Sequence, residues 1–294
     1  MGASSGEYRC PVPIRDAEPT DLDAVFELLA ARNRAAFGTT SLERKSVELD
    51  FALPGTDRLV AAEPEVVGFG SLDSAQRVEV AAPTAGDELL AALEERARAR
   101  GFEQVNAIVA HADAPFDALV RRAAFEHRGD VLRMFAPLQR ELPEPRWPDG
   151  VTVRTYADAD ARAVQALLDA AYAWDDTHVS RPHEEWLQWM TDHDEFDPEL
   201  WLLAERDGEL VGAALHWLPT RGRGWVKDLV VAESERGRGL GTALLHAGFR
   251  ASRERGATQV GLKVDSVNPT GAVRLYERVG FVTDRRYGIW VKEP

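Results

Sequence analysis

Leu229-Val230-Val231-Ala232-Glu233-Ser234-Glu235-Arg236-Gly237-Arg238-Gly239-Leu240-Gly241-Thr242 carries the reading of this chain. An apolar, β-branched run leads into a glycine-rich turn, and the helical pattern of Thr242–Arg255 follows. A strand feeding such a turn and then a helix aims several backbone N–H groups at one spot, the geometry that holds a pyrophosphate. Gly237, Gly239 and Gly241 let the backbone approach a ligand with no Cβ in the way. Arg236 and Arg238 add positive charge. The turn lacks the Gly-Lys-Ser/Thr ending of an NTP-binding loop, and its glycines are not spaced as in the dinucleotide fingerprint. A plain strand-to-helix turn fits the same residues, so further signals are needed.

They come downstream. Gln259–Val264 alternates like a strand, Asn268-Pro269 follows, and a helical run Gly271–Val279 containing Tyr276 ends at Gly280-Phe281. The pattern Leu229-x-Val231-x-x-x-x-Arg236-x-x-Gly239-x-Gly241, then Asn268 and Leu275-Tyr276-Glu277-x-x-Gly280-Phe281, resembles the GNAT superfamily of acetyl-CoA-dependent N-acyltransferases. The resemblance covers roughly residues 150–294. It implies an α/β fold with a mixed central sheet flanked by helices.

The chain also repeats itself. Ile14-Arg15 with Asp21, Val25, Leu28 and Leu29 matches Val153-Arg154 with Asp160, Val164, Leu167 and Leu168. Val67-Gly68 mirrors Val211-Gly212, Leu89-Leu90 mirrors Leu244-Leu245, and Ala124-Phe125 sits where Gly280-Phe281 recurs. Two tandem GNAT-like domains are therefore expected: residues 1–141, a Pro-rich linker at 142–149, and a catalytic domain at 150–294. In the first copy the glycine loop shrinks to Ala81-Ala82-Pro83-Thr84-Ala85, with no arginine, and Val120 replaces Tyr276. That copy is expected to keep the fold without acetyl-CoA.

Composition narrows the function classes. The 294 residues contain 45% hydrophobic side chains, which permits sizeable cores. A net charge of −14 argues against nucleic acid as a partner. No run approaches membrane-spanning length, and Met1–Gly6 shows no secretory signal. Cys10 is the only cysteine, which suits a reduced cytoplasmic protein. Monomer and homodimer both remain open.

The resemblance assigns roles. Backbone of Leu229, Val230 and Val231 would hold the pantetheine arm, on a strand that carries a bulge and splays from its neighbour. Arg236, Gly237, Arg238, Gly239, Leu240, Gly241 and Thr242 would take the pyrophosphate, and Asn268 would meet the arm from the other side. Tyr276 would serve as general acid toward the departing thiolate. Family members carry Glu or His at positions aligning with 225 or 227, and this chain has Trp225 and Lys227. The usual base is thus missing. Lys227, through like-charge repulsion, and His216, through a water relay, are the candidate substitutes.

The acceptor is expected to be a small-molecule primary amine. Asp169–Glu199 is strongly acidic with Trp174, Trp186 and Trp189 interleaved, so Trp174, Asp175 and Trp225 are candidate substrate contacts. A solvated helix face with its tryptophans in the core explains that stretch equally well. His178, His183 and His193 form no metal pattern, and no metal is expected. Two alternatives stay open. One is cysteinyl-amine acetylation of the kind performed by the tandem mycothiol synthases, although those carry Glu where Trp225 stands. The other is a non-catalytic acyl-CoA sensor.

Overall fold

The computed structural model describes residues 12–40, 42–52, 54–174, 180–192 and 194–294. Cys10, Asp175, Asp176, His178 and His193 lie outside them. The chain forms two compact units, one running through Val131 and taking in Arg285–Pro294, the other Leu132–Asp284. Leu142, at the start of the expected linker, is buried in the core of the second unit.

The first unit comprises β1 (Ile14–Asp16), α1 (Leu22–Phe37), α2 (Arg44–Ala52), β2 (Asp57–Ala62), β3 (Val66–Leu72), β4 (Val78–Ala81), α3 (Gly86–Ala99), β5 (Val105–Ala110), α4 (Ala114–Arg122) and the opening of β6 (Glu126–Pro137). β1 to β4 form an antiparallel sheet in sequence order. β5 pairs antiparallel with Tyr287–Lys292. One core lies beneath α3 and α4, around Leu89, Leu93, Val105 and Phe116. A smaller one, around Val25, Val47, Val60 and Phe69, lies beneath α1 and α2.

The second unit continues with β7 (Val151–Thr155), α5 (Ala161–Tyr172), α6 (His183–Thr191), β8 (Trp201–Arg206), β9 (Glu209–Thr220), β10 (Arg223–Val231), α7 (Leu240–Glu254), β11 (Gln259–Asp265), α8 (Ala272–Arg278) and the first residues of β12 (Val282–Lys292). β7 to β10 are antiparallel neighbours in order, and β11 joins β10 in parallel. α5 and α6 bury Val164, Leu168, Trp186 and Met190 against one face. α7 covers the other with Leu240, Leu244, Leu245 and Phe249.

The two copies share their local physics. Arg15 forks onto Asp21 at 2.6 and 2.8 Å, and Arg154 forks onto Asp160 at the same two distances. In both, the aspartate also accepts a 2.8 Å bond from a backbone N–H three residues earlier, the reach-back that opens a helix. At Gly68 an added Cβ would meet Leu89 at 2.9 Å, and at Gly212 it would meet Leu244 at 3.2 Å. Each helix therefore sits close on its sheet through a matching Gly–Leu contact. α4 and α8 end alike: Phe125 N–H bonds to Val120 O and Phe281 N–H to Tyr276 O, both at 3.0 Å. Ala124 and Gly280 supply the left-handed residue this ending requires, φ 61° and 96°.

Candidate active site

β10 is the element that builds the site. Its parallel pairing with β11 covers only Arg223–Trp225 against Gln259–Gly261, while its other edge stays paired with β9 as far as Val231. From Val226 onward the two parallel strands part, and the β10 edge turns its backbone groups toward the gap. Gly261 makes the last paired step possible. A Cβ there would lie 2.4 Å from Phe135 and 2.7 Å from Trp225, so the indole of Trp225 packs over a residue without a side chain. Trp225 also meets the Phe135 ring edge-on at 6.1 Å.

The second device is a bulge. Val226 pairs with His216 and Asp228 with Leu215, so Lys227 is the extra residue. An inserted residue reverses which side chains face which side of a sheet. Val226 packs in the cluster of α7 residues Leu245 and Phe249, whereas Val230 packs with Val164 and Leu168 of α5. Leu229 and Val231 face Leu240 and Leu244 of α7. Asp228 is thereby carried to the α5 side.

There Asp228 is buried and accepts a 2.8 Å hydrogen bond from the Tyr172 hydroxyl at the end of α5. Lys227 Nζ donates to the other carboxylate oxygen at 3.3 Å. The Lys227 ammonium also lies 4.5 Å from the centre of the Trp189 ring and 5.8 Å from that of Trp217. Trp189 is half exposed while Trp186, one helical turn away in α6, is in the core. A carboxylate, a cation and two indoles therefore gather beside the gap. The fixed positions 225 and 227 hid Asp228 from a sequence reading. Its one signal was an acid set two residues from both Val226 and Val230 in an apolar strand.

Tyr276, on α8, is buried with its ring edge-on to Phe281 at 5.6 Å. Burial, aided by the negative charge of Asp228, raises the Tyr276 phenol above its ordinary pKa of 10. Asp228 and Tyr276 thus feel each other across the opened strands.

The glycine turn sits at the head of α7. Gly237 and Gly239 adopt φ of 77° and 87°, and Gly239 is the residue that caps the helix. Ala243 N–H bonds to Gly239 O at 3.0 Å, so Leu240, Gly241 and Thr242 are the N–H groups a helix start leaves over. Glu235 anchors the approach through a two-pronged ion pair with Arg206, 2.8 and 2.9 Å, which holds its carboxyl below the usual range. Arg236 Nε donates to Val231 O at 3.3 Å, and Arg238 is exposed, 3.8 Å from Glu235. Asn268 lies in the turn after β11, its side-chain oxygen accepting from Thr270 N–H at 3.0 Å.

Other expected contacts are dispersed. Trp174 lies two residues past the end of α5, and Asp175 is outside the described residues. Within the acidic stretch, Asp197 and Glu199 both pair with Arg255 at 2.7 Å, and Asp169 accepts from Ser180 at 2.7 Å. His183 bonds Gln165 at 2.7 Å, a bond between two helices.

His216 is fully buried, pressed against Gly248 of α7, where a Cβ would lie 2.1 Å from its Nε2. Nε2 has no hydrogen-bond partner among the described residues, and Ser252 Oγ is 3.5 Å from Nδ1. Burial lowers its pKa from 6.5 to about 4. The unfolded chain then binds a proton that the folded chain refuses over this window, so stability present above pH 6.5 is lost as pH falls toward 4. Between pH 7 and 5 the loss amounts to about 2 kcal/mol. Urea melts at both pH values should show it for the native chain, and His216→Gln should remove that increment. An unchanged slope in the variant would mean that His216 titrates normally.

Comparison with known proteins agrees with this geometry. The family model described as "Acetyltransferase (GNAT) family" matches residues 162–281. A mycothiol acetyltransferase of Thermobispora bispora is 34% identical over 299 residues, spanning 92% of this chain and 95% of that protein. The solved structure of a GCN5-related N-acetyltransferase from Sphaerobacter thermophilus superposes with a TM-score of 0.79 at 28% identity, covering 96% of this chain and 95% of its own. A tandem GNAT protein from the clavulanic acid biosynthesis pathway shares the fold, with a TM-score of 0.66 at 20% identity over 96% and 98% of the two chains. An open strand pair, a glycine turn heading a helix and full-length likeness to such relatives make this chain a member of the GNAT acetyltransferase family.

Proposed function

We propose that the second unit moves the acetyl group of acetyl-CoA to the primary amine of a small molecule, with Asp228 accepting the amine's proton. The observation that carries this is the Lys227 bulge, which delivers a buried carboxylate to the Tyr172 hydroxyl of α5, beside an ammonium that lies over Trp189 of α6 and Trp217 of β9. The α7 N-terminus with Gly237–Thr242 suits the pyrophosphate, each dipole-type contact contributing about 0.3–2 kcal/mol. Arg236 and Arg238 add charge there. The edge of Leu229–Val231, which β11 does not pair, suits the amide groups of the pantetheine arm, with the Val231 carbonyl held by Arg236. Asn268 keeps its amide N–H₂ end for the same arm. Lys227, beside the carboxylate, disfavours a second positive charge and so favours the neutral form of an arriving amine. His216, sealed in the core, has no part in this scheme.

Amine basicity decides among acceptors. At pH 7 an alkyl amine of pKa about 10.4 must give up about 4.6 kcal/mol to be neutral, and an α-amine of pKa about 8 only about 1.4 kcal/mol. An α-amine is therefore the better acceptor. The relatives named mycothiol acetyltransferase favour a second, narrower reading, the cysteinyl amine, although Trp225 stands where the family resemblance implies a glutamate. In the first unit, Pro83 removes a backbone donor from the loop before α3 and Val120 stands in place of Tyr276, so one acetyl-CoA per chain is expected.

Thiol release measured with acetyl-CoA and a panel of primary amines tests the reading. Turnover should rank α-amines above alkyl amines, with calorimetry giving one acetyl-CoA per chain. Tight binding without turnover on any amine would point to a sensor instead. Two bound molecules per chain would overturn the assignment of the first unit.

A further inference from the structure

The first unit brings together three metal-ligating side chains. His111 directly follows β5, while His127 and Asp130 lie on β6. His111 Nε2 is 3.0 Å from Asp130 Oδ1, and His127 Nε2 is 3.1 Å from the same oxygen. One ligand atom from each residue falls within 4.8 Å of the others. An ion of the Zn²⁺ class, bound at about 2.0–2.2 Å to nitrogen and oxygen, sets tetrahedral ligands about 3.3 Å apart. The two nitrogen–oxygen separations need to open only slightly to admit one. We propose that His111, His127 and Asp130 form a binding site for a divalent first-row transition ion of the Zn²⁺ type, with water completing its shell.

Several local features favour the arrangement. Residues three apart in a regular strand face opposite sides, yet His127 and Asp130 meet, and Gly129 lies between them with φ 155°. The His127 ring rests against Trp290, centroids 5.0 Å apart, and the Arg121 guanidinium lies 4.5 Å from the centre of the same indole. That packing limits how the imidazole can turn. His111 N–H bonds Arg286 O at 3.0 Å, which ties its backbone to β12. The two imidazoles are 48% and 44% exposed and the carboxylate 18%, so an ion can enter from solvent and keep water ligands. Two nitrogens and one oxygen select Zn²⁺, Co²⁺ or Ni²⁺ over Ca²⁺ and Mg²⁺, which prefer oxygen shells. The rival is a His–Asp–His group held by hydrogen bonds alone.

The full chain, prepared without an affinity tag and stripped with chelator, should be titrated with Co²⁺ and then Zn²⁺. One Co²⁺ per chain, with a visible absorption that Zn²⁺ abolishes, is the expected result. His111→Ala and His127→Ala should each weaken binding about tenfold or more. His183→Ala should leave it intact, and acetyl transfer and far-UV circular dichroism should not change in any of the three. No binding at submillimolar Co²⁺ and Zn²⁺ would overturn the proposal. So would an ion that persists in the His111→Ala/His127→Ala double variant, or Ca²⁺ binding as tightly as Zn²⁺.

Discussion

Replacing Asp228 by Asn is expected to lower kcat/KM for acetyl transfer by about a hundredfold to ten-thousandfold, the range a positioned general base contributes. As the new carbon–nitrogen bond forms, the attacking nitrogen becomes strongly acidic and must lose a proton. Asp228 is the carboxylate that the bulge turns toward the acceptor side. Asn preserves the shape and still accepts the Tyr172 hydroxyl bond, so folding and acetyl-CoA affinity should hold. The amide NH₂ then takes the place of the oxygen that accepted from Lys227, a donor against a donor, so that hydrogen bond is lost. Initial rates by thiol release, alongside calorimetric acetyl-CoA binding, separate a lost base from a damaged fold. Tyr172→Phe, which leaves the carboxylate but removes its anchor, should cost less than Asp228→Asn. An Asn variant within about tenfold of the native rate, or 1.4 kcal/mol, would show that the proton leaves by another route.

That residue was the least legible part of the site, and the reason is geometric. A regular strand places residues 226, 228 and 230 on one face, and that spacing would bury Asp228 with both valines. The extra residue at Lys227 breaks the alternation, and a bulge depends on strand pairing that no local pattern records. The Lys227–Trp189 contact was hidden for a related reason. Trp186 and Met190, four residues apart, share the buried face of α6, which turns Trp189 outward over a residue of another element.

Local signals read well. The Gly237–Gly241 turn, the helix behind it and the strand Gln259–Val264 correspond to a capped α7 and to β11, with boundaries shifted by two residues or fewer. The internal repeat was legible because each matched pair does the same physical work. The Arg–Asp forks open helices, the Gly–Leu contacts set helix-to-sheet distance, and Ala124 and Gly280 close helices. Long-range membership is not written in composition, since packing decides that Leu142 is core and that Arg285–Pro294 belongs with the first unit. His216 shows the same limit, because only the tertiary structure reveals that the missing side chain of Gly248 makes room for its ring.

Tyr276→Phe is expected to lower kcat by about tenfold to a hundredfold while leaving acetyl-CoA binding almost unchanged. The size follows from the environment of the phenol. Burial and the negative Asp228 both push its pKa above 10, so it stays protonated across the working range and adds no basic limb below about pH 9.5. The same shift makes it a weaker acid than an ordinary phenol. A leaving thiol resembling cysteine has a pKa of about 8.5, so complete proton transfer to its thiolate would be uphill by more than about 2 kcal/mol. The hydroxyl therefore acts as a hydrogen-bond donor to the charge growing on sulfur, an interaction of about 1.5–3 kcal/mol. Phe keeps the edge-on contact with Phe281 and removes only that donor. A loss approaching ten-thousandfold would mean full proton transfer, as in general acid catalysis. A change of less than about threefold, under 1 kcal/mol, would remove Tyr276 from the reaction and leave it as a core residue of α8.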